Sequence, residues 1–188
     1  MSYDLHLIPA RAGTAPLSAA RALIEQDEGE INPGPAVPEK EARKARLADA
    51  LKRANPQLVA FEFGYSTIAA QEGISEAEAR QRYRHIELNG PEDGSGVQIT
   101  LTDDTVHVAV PYWYQPPAAA AVFEEVWQYL AVLDRQGRFA VYDPQLDRIL
   151  TLVTDRPAVL ECYVSVMARM AQEAAPTEKR TRPWWRFW

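Results

Sequence analysis

Cysteine is nearly absent from this sequence. Cys162 is the only one, so no intrachain disulfide can form, which suits a reducing compartment. No run approaches the roughly 20 apolar residues that cross a bilayer, because charges or prolines interrupt each candidate. The opening Met1 to Pro9 carries an acid where a signal peptide carries positive charge, and its apolar run stops at proline. No targeting segment is expected, and the expected location is the cytoplasm. Histidine is scarce too: His6, His85 and His107 lie far apart, with no HExxH, no HxH and no cysteine pair at ligand spacing. No metal is expected. Neither GxGxxG nor GxxxxGK[ST] occurs, and Gly90 to Gly96, with Pro91 inside, reads as a surface loop, so no nucleotide or other cofactor is expected. No GxSxG elbow marks a nucleophile, and Cys162, on a core helix, reads as a small buried hydrophobe.

What is present is the composition of a folded, single-core chain. The 188 residues are 47% apolar and 24% charged, with a mean hydropathy of -0.32, which suits one domain spanning 1–175. Twenty Lys and Arg against 26 Asp and Glu give a net charge of -6. That balance repels phosphate backbones and anionic lipid at long range, so nucleic acid is not an expected partner. The segment 176–188 inverts the sign: Lys179, Arg180, Arg182 and Arg186 make the last ten residues +4, leaving −10 on the rest. Three of the five tryptophans, Trp184, Trp185 and Trp188, also sit there, beside Arg186. A basic aromatic tail on an acidic body can fold back on its own domain or reach a partner by the same chemistry.

Periodicity supplies the elements. Tyr3 to Ile8 alternates as a strand ended by Pro9, and Leu17, Ala20, Leu23 and Ile24 recur at helical spacing up to Gly29. Three prolines between Asn32 and Pro38 make a connector, and Glu39 to Ala54 reads as a second, one-sided helix. Leu58 to Phe63 is short enough for a buried strand, and Ser75 with Glu78 forms a capping box before a helix to Arg84. Val97, Ile99 and Leu101, then Val106, Val108 and Val110, alternate with polar residues about Asp103-Asp104, predicting a hairpin with one apolar face. Pro111 ends the pairing or forces that strand to an edge. Ala118 to Gln136 predicts a long helix, Arg138 to Tyr142 and Arg148 to Val153 predict strands about a turn at Asp143-Pro144-Gln145, and Asp155 starts a last helix. Strands segregated from covering helices define an α+β fold with a mainly antiparallel sheet, ferredoxin-like, with a C-terminal strand and helix added.

Two places attract a functional reading. Three consecutive aromatics, Tyr112, Trp113 and Tyr114, cannot all face one core in an extended chain, so at least one of them lines a surface or groove, and Asp143 with Gln145 belongs to a predicted turn. Paired acids perform acid–base chemistry only when they face one another at about 5–10 Å, and the plainer role of Asp103, Asp104 and Asp143 is to shape turns.

Three segments, Met1 to Leu5, Val108 to Trp113 and Val141 to Gln145, together resemble a set of small bacterial cytoplasmic proteins, some of them similar to immunity proteins that neutralise a cognate toxin. The resemblance implies an α+β protein without a catalytic centre and carries no active-site residues over. The leading expectation is therefore a non-catalytic protein-binding module, in its sharpest form an immunity-type inhibitor. Its partner would be another protein with a basic site, bound through Tyr112, Trp113, Tyr114, Asp143, Gln145 and the tail residues Trp184, Trp185, Arg186 and Trp188. A hydrolase or transferase with carboxylates gathered near Tyr112 to Tyr114 and Asp143 is the alternative, and a self-assembling protein, a homo-oligomer, is a second.

Overall fold

A computed structural model of the chain describes residues 1–10, 16–26, 34–90 and 96–174. The aromatic tail residues Trp184, Trp185, Arg186 and Trp188, the predicted 176–188 segment as a whole, and Asn32 and Pro33 of the predicted connector lie outside them. The elements in chain order are β1 (Ser2–Pro9), α1 (Pro16–Gln26), α2 (Pro38–Ala54), β2 (Val59–Ala60), α3 (Tyr65–Glu72), α4 (Glu76–Arg82), β3 (Ile86–Asn89), β4 (Gln98–Leu101), β5 (Val106–Pro111), α5 (Ala118–Gly137), β6 (Phe139–Asp143), β7 (Arg148–Ile149) and α6 (Arg156–Ala174). The fold is α+β. Its strands form one seven-stranded antiparallel sheet in the order β2-β3-β4-β5-β1-β6-β7.

Within that sheet the run β4-β5-β1-β6, crossed by α2 and α5, has the ferredoxin-like strand order. The pair β2-β3 extends one edge and β7, followed by α6, extends the other. Alternation explains which side each strand buries. Tyr3, Leu5 and Leu7 of β1 and Val106, Val108 and Val110 of β5 point to one face, with Ile99 and Leu101 of β4 and Val141 of β6 beside them. Against this face lie Leu47 and Leu51 of α2, Phe123, Val126, Leu130 and Leu133 of α5, and Val159 and Tyr163 of α6. Full burial of each such side chain stabilises the fold by about 1.5–3 kcal/mol, so the apolar layer supplies most of the driving force.

A charged clamp pins the hairpin to the helices. Lys44 is 1% exposed, and its Nζ donates to Asp103 Oδ1 and Glu41 Oε1 at 2.9 Å and to the Arg84 carbonyl at 3.0 Å. Arg84 in turn reaches Glu41 at 3.1 Å and the second oxygen of Asp103. Burial works against the Asp103 charge, but Lys44 and then Arg84 outweigh it and hold the carboxyl below its ordinary range. On the far side of α2, Asn55 donates to Tyr129 Oη at 2.6 Å, fastening the helix end to α5.

Several details differ from the sequence reading. Only Val59 and Ala60 of the predicted strand 58–63 pair as a strand, and helix α3, unmarked by periodicity, begins at Tyr65. Strand β3 also went unseen, because its Glu87 and Asn89 interrupt the apolar pattern. Pro111 does not push β5 to an edge: the strand lies between β4 and β1, and Pro111 stands opposite Ser2. The helix from Ala118 runs to Gly137, one residue past the predicted end, and Arg138 caps it in the left-handed region at φ 51°. The predicted strand 148–153 pairs only over Arg148 and Ile149. Asp155 does precede the last helix, but its carboxylate accepts from the Thr151 N–H at 2.7 Å and from Arg148.

Candidate functional site

The second face of the sheet differs in chemistry from the first. Because strand side chains alternate, burying Leu5, Leu7, Val106 and Val108 turns Asp4, His6 and His107 the other way. The pairing register then lines them up. His6 stands opposite His107 on β5 and Tyr142 on β6; His107 stands opposite Thr100 on β4, and Thr100 opposite Glu87 on β3. A parallel row runs from Asp4 through Ala109, Gln98 and Asn89 to Val59. Among the strand side chains of these two rows there are two carboxylates and no Lys or Arg. The polar ones are half-buried, apart from the buried Tyr142.

Helix α1 covers only one end of this face, where Ala20, Leu17, Leu23 and Ile24 pack on Ile8, Tyr142, Ala140 and Ile149. Arg21 of α1 is paired with Asp147, which also accepts from Tyr142 Oη at 2.8 Å. Among the described residues no other helix lies over the rows from β2 to β1.

Its centre is a compact polar cluster. The rings of His6 and His107 are 4.8 Å apart and tilted by 33°, and His107 Nε2 lies 3.2 Å from Asp4 Oδ1, which also accepts from Ser2 Oγ at 2.7 Å. Burial pushes His6 down to about 4, helped by the neighbouring His107 and opposed by Asp4. For Asp4, burial favours the neutral form, but the hydrogen bonds from His107 and Ser2 outweigh it and hold the carboxyl below its usual value. At neutral pH the cluster therefore presents a carboxylate beside a neutral His6.

Apolar residues edge the same face. Val59 and Phe61 at the outer strand are 61% and 52% exposed, and the Phe61 N–H donates to the Glu87 carbonyl at 2.9 Å. Trp113, 65% exposed, lies over Gly96, where a Cβ would sit 2.5 Å from the indole. Gly96 also has φ +54°, so this position needs glycine both for its backbone and for the ring above it.

The aromatic triplet divides as alternation requires. Tyr112 stacks on Tyr163 with centroids 5.2 Å apart, and Tyr114 packs against the core and its backbone N–H donates to the Tyr163 hydroxyl oxygen at 3.2 Å. Trp113 is the one left outside. Burial raises Tyr112 to about 12, so it is a neutral phenol at working pH. Asp143 joins this neighbourhood through Tyr3, whose ring is 6.2 Å from Tyr112. It is 0% exposed; its Oδ2 accepts from Tyr3 Oη at 2.6 Å, and its Oδ1 accepts from the Gln145 and Leu146 N–H groups at 2.8 and 3.0 Å. Burial raises the Asp143 carboxyl above its ordinary value, against the pull of Tyr3 and the two amides. This is the bonding of a carboxylate that closes a turn and anchors a tyrosine. Gln145 contributes a backbone amide to that turn and keeps its side chain at the surface.

Next to it, a hollow of about 420 Å3 open to solvent is lined by Leu146, Arg148, Ala158, Glu161, Cys162 and Ser165. Among the described residues no group of three His, Cys, Asp or Glu side chains is arranged to hold a metal ion, and no helix is long and apolar enough to cross a membrane. The sequence reading thus located Trp113 but passed over Asp4, His6 and His107. The available signal was their shared outward parity on strands whose other residues are apolar; the register that joins β1 to β5 was not visible. Comparison with protein-family models, with curated proteins and with solved structures finds no match to this chain.

Proposed function

We propose that this protein is a non-catalytic binding module that docks another protein on the open face of its sheet. One observation carries the reading: polar rows cross that face from β2 to β1 without a Lys or Arg among their strand side chains, edged by exposed Trp113, Val59 and Phe61. A surface with an apolar rim and half-buried acids fits a partner that presents basic and apolar side chains together. Long-range attraction by an acidic chain of net charge -6 adds to the encounter rate and makes it salt-sensitive. An immunity-type inhibitor, which blocks a basic site on a toxin, is the form of this function implied by the resemblance of the segments Met1 to Leu5, Val108 to Trp113 and Val141 to Gln145.

The test is a stoichiometric complex recovered from cells of the source organism and challenged with Thr100→Arg, which sets a cation in the middle of the face. We expect the wild-type complex to survive gel filtration and the variant, folded by circular dichroism, to lose it. A complex indifferent to Thr100→Arg, or no stoichiometric partner at all, would reject the reading.

A further inference from the structure

The open face lies within reach of a segment of this chain whose chemistry complements it. The opposite side of the sheet is covered by α2, α5 and α6, and the outer surfaces of α2 and α5 mix acids with the exposed bases Arg46, Arg53 and Arg135. The two polar rows hold no Lys or Arg. Glu87 stands in one of them, and its Oε1 accepts from the neutral Asn89 amide at 2.9 Å, so its negative charge stays on the face. Trp113 edges the rows beside Gly96, and Val59 and Phe61 edge them at β2. The segment 179–188 carries the opposite charge, +4 against −10 for the rest of the chain, and Trp184, Trp185, Phe187 and Trp188 give it aromatic surface. Helix α6 brings the chain to the rim: Tyr163, midway along it, stacks on Tyr112 and donates its hydroxyl to the Pro111 carbonyl at 2.6 Å. From Tyr163 the helix rises about 16 Å to Ala174, the last described residue. The ten residues from there to Trp184 span up to about 36 Å, more than the distance back to that rim.

We infer that the basic aromatic segment 179–188 docks in cis on the open face of the sheet, its bases over the cation-free rows and its rings on the rim of Trp113, Val59 and Phe61. Arginine over an indole and ring-to-ring contact favour that rim, and the acidic body draws the segment in. Docking in cis masks the surface that a foreign protein would use, yet it needs no second molecule and stands without the partner proposed above. Tethering makes a modest affinity sufficient. A segment held at about mM effective concentration and binding with about 0.1 mM affinity is seated in about nine molecules of ten, so its full release exposes it about tenfold.

Trypsin reads that exposure on the full chain, as the rate of the cut after Arg186 followed by intact mass. Thr100→Arg, which sets a cation within the rows, should speed this cut about tenfold. Gln128→Arg, on the exposed side of α5, should change it less than about twofold. A photo-crosslinking side chain in place of Phe187 reads the same contact on an unaltered face, and so decides the matter even if Thr100→Arg misfolds. Adducts of monomer mass joined to residues 59–61 or 96–113 are expected. Equal cutting of wild type and both variants, adducts joined to the helices, or adducts of dimer mass would overturn docking in cis. The two proposals fail separately. A foreign complex lost with Thr100→Arg, beside a segment cut equally in all three proteins, keeps the partner and removes the cis contact; a seated segment with no foreign complex does the reverse.

Discussion

The two faces of the one sheet use the same strands and opposite chemistry. On one, Leu5, Leu7, Val106 and Val108 are buried under α2, α5 and α6; on the other, Asp4, His6, His107 and Thr100 alternate with them and stay half-open. A sheet that needed only stability would cover both faces or fill the second with inert polar residues. Here the second face instead concentrates carboxylates, a histidine pair and exposed aromatics, with no Lys or Arg among the strand side chains of its two polar rows. The lesson is that the fold's buried core and its half-open polar face are separated by a single residue of register.

That separation can be broken from the core side first. Leu5→Ala removes a fully buried side chain and should cost about 2–5 kcal/mol in urea unfolding. Lys44→Met leaves Asp103 and Glu41 with Arg84 as their remaining cation in this clamp, and we expect a loss of about 3 kcal/mol by the same measurement. Tyr3→Phe strips a donor from the buried Asp143 carboxylate; thermal melts should show a loss of about 1–3 kcal/mol.

On the open face the expected effects are smaller and depend on pH. His6 has a folded value of about 4 against an ordinary 6.5, so between these the unfolded chain holds a proton that the folded chain refuses. Stability should therefore rise with pH across that window and fall as pH drops through it, and His6→Gln should flatten its share of the slope in melts taken at successive pH values. The smallest effect belongs to Thr100→Ala, which should shift stability by less than about 0.5 kcal/mol while weakening the docked complex. A large stability loss there would erase the contrast between the faces.

Much of this architecture was legible from residue order. Alternation in Tyr3 to Ile8 and Val97 to Val110, and the helical stripe from Val122 to Leu133, locate the strands and helix that make the core, because burial on one side imposes a period. What escaped had no period to show. β2 is two residues long, α3 is a short helix with mixed composition, and β3 breaks its apolar pattern with Glu87 and Asn89. The polar face escaped for a different reason. Residues 6 and 107 become neighbours only when β1 inserts between β5 and β6, and that long-range pairing leaves no local mark. Trp113 was foreseeable because three consecutive aromatics in extended chain must send one of them outward. Asp143 was foreseeable as a turn former; its hydrogen bond to Tyr3, 140 positions away, was not.

The central claim is that partners meet the open face and not the helical one. It is tested most directly by placing a photo-crosslinking side chain at Thr100 and, separately, at Gln128 on the exposed side of α5, then irradiating cells that carry each version. The account predicts one discrete heavier adduct from position 100, lost on adding Trp113→Ser, and none of that mass from position 128. An adduct formed from position 128 alone, or equally from both, would contradict it.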